Sequence, residues 1–201
     1  MADLTLYYSI PSRGLVTHWM LEEVGVPFER RVLDLQAGDG RKPEILALNP
    51  VGRVPILVHG DRVITETTAT CLYLAEQFPE AGLNVAVDSP LRGELLRWLF
   101  FNPGTLELAI FGATVGFKVD EAVYKPAATA AEVAEVLRDA LRGREFLVGD
   151  QFSVADVVIG SGINWGLNMM GVFPGHAELV DYWARLEARP AWQRVAATMA
   201  A

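Results

Sequence analysis

A valine–proline pair, Val54-Pro55, opens an apolar run that continues to Val58 and constrains the fold of this 201-residue chain more than any other stretch. Proline cannot donate to a β-ladder, so it belongs at the start of a strand or on an edge. The bond before a proline at a strand entrance is also a place where a cis peptide is stable. Either arrangement leaves the backbone N–H and C=O of Val54 free, and we expect them to pair with a group from outside the chain.

A helix start follows this run at Glu66-Thr67, after a turn at Gly60-Asp61. The first turn of a helix presents unpaired N–H groups and a partial positive charge, which suit a carboxylate. The two features together predict a site for a carboxylate ligand that also pairs with the backbone.

The first 80 residues alternate between strand and helix patterns. Parallel strands need a crossover helix between them, so the first strand, helix and strand predict a β-α-β unit. The whole order is β-α-β-α-β-β-α. The predicted strands are 4–8, 28–35, 55–58 and 62–64, and the predicted helices are 15–24, 43–48 and 67–78.

The residues from 90 onward have helical patterns only, and a linker with Gly and Pro is predicted over 80–90. Thr129 to Glu132 forms one capping box and Ser153 to Asp156 another. The helix after the second box is apolar nearly all round and is expected to be buried. Proline in Asn102-Pro103-Gly104 predicts a kink or break in an earlier helix.

Composition excludes several classes of function. A net charge of −8 argues against nucleic acid and against an anionic membrane surface. No apolar run is long enough for a spanning helix, and the first residues resemble no secretory leader. The one cysteine, Cys71, allows no internal disulfide, and the three histidines lack metal-site spacing. We therefore expect a cytoplasmic protein without a metal.

These motifs resemble those of the glutathione transferase family, over nearly the whole chain. The resemblance implies an α/β thioredoxin-like domain over residues 1–80 that binds glutathione. It also implies an all-α domain over 90–201 that contributes the pocket for an electrophile. In this family the residue before a cis-proline, here Val54, pairs with the cysteine backbone of glutathione. An acidic–hydroxyl pair, here Glu66 and Thr67, holds the γ-glutamyl end.

The catalytic hydroxyl is less well defined by the sequence. The run from Ser9 to Arg13 resembles the serine turn of theta- and delta-class transferases, whose first serine stabilises the glutathione thiolate; this favours Ser9. Ser12 at the first helix start is a second candidate, although its position favours a plain N-cap role. Tyr7 and Tyr8 would serve in the tyrosine classes.

The remaining glutathione contacts implied by the resemblance are basic. Arg13 follows the serine turn, Lys42 stands with Arg41 where several classes hold the glycine carboxylate, and Arg53 precedes Val54. Solvated surface side chains would have the same sequence pattern.

The predicted function is a detoxifying glutathione S-transferase, expected as a homodimer, that joins the glutathione thiolate to electrophilic, largely apolar small molecules. The alternative is a non-catalytic binding protein of the same fold, for a hydrophobic ligand or a protein partner. A glutathione-dependent thiol reductase is disfavoured because the serine turn carries no cysteine.

Overall fold

The computed structural model describes residues 3–116 and 128–199, and the chain divides into two compact units. The first unit comprises Met1–Asn84 and Arg189–Ala201, and the second comprises Val85–Ala188. The C-terminal helix therefore belongs to the same compact unit as the N-terminal residues, whereas the sequence analysis places residues 90–201 together. The domain limits 1–80 and 90–201 remain a prediction.

A four-stranded mixed sheet forms the centre of the first unit, in the strand order β2-β1-β3-β4. Strand β1 runs parallel to β2 and antiparallel to β3, and β3 and β4 form a hairpin. This is the predicted thioredoxin-like topology. The strands are β1 Leu4–Tyr8, β2 Glu29–Val32, β3 Ile56–His59 and β4 Arg62–Thr65, and the helices are α1 Gly14–Val24, α2 Pro43–Leu48, α3 Thr67–Gln77 and α9 Pro190–Met199.

Helices α1 and α3 pack together in this unit, and α9 packs on α1. The hydroxyls of Thr17 and Thr70 lie 2.7 Å apart at the α1–α3 contact, where both side chains are fully buried. The rings of Trp19 and Trp192 meet edge to face at 5.1 Å between α1 and α9. Gly25 ends α1 with φ of 76°, as the sequence predicts for a helix C-terminus.

Two ion pairs fasten α9 and the residue before it to the end of α1. Arg189 donates Nε and an Nη to the two carboxylate oxygens of Glu23, each at 2.7 Å. Arg194 pairs with the carboxylate of Glu22 and also donates to the Glu22 carbonyl at 3.0 Å. A two-bond arginine–carboxylate pair holds geometry as well as charge, so α9 is fixed against α1 in register.

Helices are the only regular secondary structure among the described residues of the second unit. Asp156 is its buried polar centre: Oδ1 accepts from the Leu147 N–H at 2.9 Å and from the Tyr182 hydroxyl at 2.7 Å, while Oδ2 accepts from the Ser153 N–H at 2.8 Å. Both predicted capping boxes are present. The helices are α4 Arg92–Phe101, α5 Glu107–Val115, α6 Ala130–Leu141, α7 Val154–Asn164 and α8 Ala177–Glu187.

One sequence prediction about element limits is wrong. Strand β2 ends at Val32 rather than 35, because the Asp34 carboxylate accepts from the N–H groups of Gln36 and Ala37 and starts a turn. The α-helix is interrupted around Pro103, where the sequence predicts a kink or break: Asn102–Leu106, between α4 and α5, winds as a π-helix.

The apolar character of Phe100, Phe111 and Phe117 predicts core positions for all three. This prediction is wrong for Phe100 and Phe111, which are 71% and 41% exposed, and Phe117 lies outside the described residues.

Within residues 3–116 and 128–199, no helix has both the length and the hydropathy needed to cross a membrane.

Candidate functional site

Strand register brings the predicted site residues to one end of the sheet. Tyr7 lies opposite Ile56 in the antiparallel β1–β3 pair, so the same register continued by two residues sets Ser9 opposite Val54. Ile56 lies opposite Thr65 in the β3–β4 hairpin, so the residue after β4, Glu66, stands level with Pro55. Three segments that are far apart in sequence therefore meet where β1 and β4 end and β3 begins.

The Val54–Pro55 peptide bond is cis, which confirms the arrangement expected at this strand entrance. Val54 lies just before β3, and its backbone makes no hydrogen bond with any of the described residues. A half-buried backbone group without a partner is costly unless water or a ligand satisfies it. The Val54 amide and carbonyl are thus available to a peptide-like ligand.

Glu66 adopts a backbone conformation that side-chain-bearing residues avoid. Its φ is 69°, the one positive value at a non-glycine residue in the described chain. Such a conformation costs on the order of 1–3 kcal/mol and tends to persist at functional sites. Glu66 is the N-cap of α3, yet its carboxylate makes no capping hydrogen bond and is exposed. Helix capping therefore does not account for the glutamate.

The two serines of the turn after β1 differ in what their hydroxyls do. Ser12 Oγ donates to the Ser9 carbonyl at 2.6 Å and accepts from the Gly14 N–H at 3.0 Å. Its single proton is used in holding the turn. Ser9 is 7% exposed, and its hydroxyl makes no hydrogen bond with the described residues. The Ser9 proton remains available to a ligand.

The loop before Val54 is held by a buried asparagine. Asn49 Nδ2 donates to the Arg53 carbonyl at 2.8 Å, and Asn49 Oδ1 accepts from the Val51 N–H at 3.1 Å. Gly52 completes the turn by donating to the Asn49 carbonyl at 2.8 Å. The sequence analysis missed this role of Asn49; the signal was an asparagine directly after a helix and before a proline.

Two glycines join this loop to the basic segment before α2. A Cβ on Gly52 would lie 2.3 Å from the Gly40 carbonyl oxygen, and a Cβ on Gly40 would lie 2.5 Å from the Gly52 carbonyl oxygen. Arg41 adds a hydrogen bond to the Val51 carbonyl at 3.3 Å. The backbone that carries Lys42 is therefore packed directly on the backbone that leads to Val54.

The three basic residues predicted to contact glutathione differ in exposure and in position. Lys42 is exposed and pairs with Asp39 at 2.7 Å, and this hydrogen bond raises the pKa of the lysine. Arg53 is exposed beside Val54, and Arg13 is half-buried at the start of α1. Arg53 directly precedes Val54, Arg13 follows the turn after β1, and Lys42 is connected to the loop before Val54 through the Gly40–Gly52 contact.

The one cysteine of the chain is not a candidate nucleophile. Cys71 is buried, and burial raises the pKa of its thiol to about 12, far from the range of a nucleophilic thiolate. No group of three or more potential metal ligands occurs among residues 3–116 and 128–199.

The first unit has a mixed sheet, a strand that begins after a cis peptide bond to proline, and an unpaired backbone just before that proline. It also has a glutamate in a strained conformation at the start of a helix. These features define a thioredoxin-like domain, and a helical unit follows it in the chain. Family models described as "Glutathione S-transferase, N-terminal domain" and "Glutathione S-transferase, C-terminal domain" match residues 2–76 and 101–190. The chain is 32% identical to glutathione S-transferase F10 of Arabidopsis thaliana, over 96% of each chain. It therefore belongs to the glutathione S-transferase family.

Other relatives extend over the same length. Glutathione S-transferase 3 of Zea mays is 30% identical, over 99% of this chain and 96% of that one. A solved glutathione transferase homologue from Sulfitobacter, which contains bound glutathione, superposes with a TM-score of 0.77 at 27% identity. That match covers 98% of this chain and 99% of the homologue.

Proposed function

We propose that this protein is a glutathione S-transferase whose site lies at the sheet end formed by Ser9, Val54 and Glu66. The observation that carries the proposal is the register that brings these three residues together. The open backbone of Val54 suits the cysteine amide and carbonyl of glutathione. The exposed Glu66 carboxylate, with Thr67 beside it, suits the γ-glutamyl ammonium group.

Ser9 is the proposed catalytic residue. Its unused hydroxyl donates a hydrogen bond to the thiolate of glutathione and does not itself ionise. A hydrogen bond to a charged group contributes roughly 1.5–3 kcal/mol. Since one pKa unit corresponds to about 1.36 kcal/mol, the thiol pKa falls by about one to two units from ~8.5. The thiolate sulfur then forms a bond to the electrophilic carbon, and the leaving group departs with the electron pair of the bond it breaks.

Basic side chains are proposed for the other end of the peptide. Arg53 directly precedes Val54, Arg13 stands at the start of α1 after the serine turn, and Lys42 stands on the segment packed against the loop before Val54. The positive charge of Lys42 suits the glycine carboxylate of glutathione, for which it would exchange its contact with Asp39.

The co-substrate is proposed to be a largely apolar electrophile. The second unit exposes Leu108 and Phe111 on α5, and the Phe111 ring meets Trp165 at 5.0 Å. We further propose a detoxifying role, a homodimer and a cytoplasmic location. The homodimer is proposed from the family membership, and the single cysteine suits a reducing compartment.

The test compares Ser9→Ala with Ser12→Ala. Conjugation of glutathione to 1-chloro-2,4-dinitrobenzene is measured together with the ultraviolet absorbance of the bound thiolate across pH. We expect Ser9→Ala to lower kcat about tenfold or more and return the thiol pKa towards its free value. Ser12→Ala retains the lowered pKa. Wild-type binding of glutathione without conjugation of any electrophile would instead favour the non-catalytic binding protein.

A further inference from the structure

A group of polar side chains lies at the β3–β4 hairpin of the first unit and shares no residue with the sheet end described above. His59, the last residue of β3, lies directly opposite Arg62, the first residue of β4. Residues paired in this way direct their side chains to the same face of the sheet. The hydroxyl of Tyr73, on α3, lies 2.9 Å from His59 Nδ1 and 3.3 Å from Arg62 Nη1. We call these three residues the Tyr73 cluster.

The hydrogen-bonding capacities of the cluster define where the Tyr73 proton points. A guanidinium can only donate, so the Tyr73 oxygen accepts a hydrogen bond from Arg62. The phenol then donates its own proton to His59 Nδ1, the unprotonated nitrogen of a neutral imidazole. The carboxylate of Asp3, whose Oδ2 lies 3.9 Å from His59 Nε2, favours this tautomer because it attracts a proton to Nε2. Tyr73 therefore has a proton acceptor and a cation at the same oxygen.

Aromatic rings hold the imidazole of His59 in place. The Phe78 ring stacks on it with 6.0 Å between centroids, and the Tyr73 ring meets it edge to face at 5.9 Å. The His59 side chain is nonetheless 20% exposed, Tyr73 is half-buried and Arg62 is exposed. The cluster is thus ordered by packing but lies at the surface, where a small molecule from solvent can approach it.

Tyr7 provides a comparison within the same unit. It is half-buried, as Tyr73 is, but its hydroxyl makes no hydrogen bond with the described residues. The Arg31 guanidinium lies 5.9 Å from the centroid of the Tyr7 ring, over the ring and not at the oxygen. Tyr8 and Tyr182 are buried. Among the tyrosines that the structure describes, Tyr73 alone combines partial exposure with a histidine and an arginine at its hydroxyl.

We propose that Tyr73 is a nucleophilic tyrosine, a modification site that accepts an acyl group from activated aryl esters. The Tyr73 oxygen forms a bond to the carbonyl carbon of the ester, and its proton passes to His59 Nδ1. The carbonyl then re-forms as the aryloxide departs with the electron pair of the bond it breaks. Arg62 stabilises the negative charge that the Tyr73 oxygen acquires as it loses its proton. The products are O-acyl Tyr73 and a phenol, and glutathione takes no part.

The test uses 4-nitrophenyl acetate and the full-length protein in the absence of glutathione. Nitrophenol release is followed by absorbance, and acetylated residues are identified by mass spectrometry after digestion. We expect a burst of nitrophenol comparable to the protein concentration and acetylation of Tyr73 at least tenfold faster than that of Tyr7. A positioned general base contributes about 10²–10⁴-fold, so His59→Gln is expected to slow acetylation of Tyr73 about a hundredfold.

Three further variants make the test specific. Tyr73→Phe keeps the ring that packs on His59 and is expected to eliminate the burst. Arg62→Gln is expected to slow acetylation about tenfold, as the loss of one charge-assisted hydrogen bond predicts. Arg31→Gln removes a cation from the ring of Tyr7 and is expected to leave the burst unchanged. A burst that persists in Tyr73→Phe, equal acetylation of Tyr7 and Tyr73, or an unchanged rate in His59→Gln would each overturn the proposal.

Discussion

Gly40 and Gly52 touch backbone to backbone, so closely that a side chain on either would overlap the carbonyl oxygen of the other. This contact joins the segment that carries Lys42 to the loop that leads to Val54. It also explains why both positions are glycine: Gly52 has a φ of 68°, and Gly40 is buried.

Gly52→Ala is therefore expected to disrupt the proposed glutathione site. The added Cβ forces the two backbones apart, and the left-handed φ adds strain of about 1 kcal/mol. We expect glutathione KM to rise about tenfold and the unfolding free energy to fall by about 2 kcal/mol or more. Gly38→Ala is the matched control, because Gly38 has a φ of 91° but open space around it. Equal effects of the two changes would show that strain, and not the contact, is responsible.

The substitution Glu66→Gly is expected to raise the stability of the protein while it weakens the binding of glutathione. Glycine adopts the positive φ without strain, so the free energy of unfolding is expected to rise by about 1 kcal/mol. The variant should therefore unfold at a higher urea concentration than wild type. Loss of the carboxylate is expected to raise glutathione KM about tenfold or more. Glu66→Gln keeps the strained backbone and removes only the charge, so it should lose affinity without gaining stability. A destabilised Glu66→Gly would contradict this account.

His18 predicts a loss of stability in acid. Burial, together with the nearby Arg30, lowers the pKa of this imidazole from 6.5 to about 4, although Glu22 opposes the shift. The unfolded state therefore binds the proton first as pH falls, and stability is lost between pH of about 6.5 and 4. Urea unfolding at pH 7 and 5 measures the effect. His18→Gln should show a smaller difference between the two pH values than wild type, since its side chain does not titrate.

Asp156→Ala is expected to destabilise the second unit by about 3–5 kcal/mol, because it leaves buried N–H and O–H donors without an acceptor. Urea unfolding followed by circular dichroism gives the value. Asp139→Ala provides the comparison: Asp139 pairs with Arg138 and Arg142 on the surface, where such pairs contribute little. A loss below 1 kcal/mol at Asp156 would mean that its hydrogen bonds are replaced by water.

The structural features that the sequence predicts most accurately are those set by residues close together in the chain. The capping boxes at Thr129 and Ser153 and the hairpin after Pro55 each follow from residue types within a few positions of one another. Helix α1 likewise ends at the glycine that its sequence pattern indicated.

Contacts between segments that are distant in sequence were not predicted, for a physical reason. The Gly40–Gly52 contact requires the approach of two loops, and no side-chain pattern encodes it. The attachment of α9 to α1 depends on Glu23 and Arg189, charged residues that look like ordinary surface positions when read alone. At Pro103 the sequence predicts an interruption of the α-helix but not its π-helical form, which is a change in backbone hydrogen bonding that apolar periodicity does not reveal.

The attachment of α9 has a consequence for how the molecule is made. A ribosome delivers the strands and helices of the first unit early, but Arg189 and Trp192 emerge only after the whole second unit. Until then Glu23 and Trp19 lack the partners that cover them in the finished protein. Completion of the first unit is therefore a late event in synthesis, and a nascent chain stopped before residue 189 exposes the surface of α1 that α9 later covers.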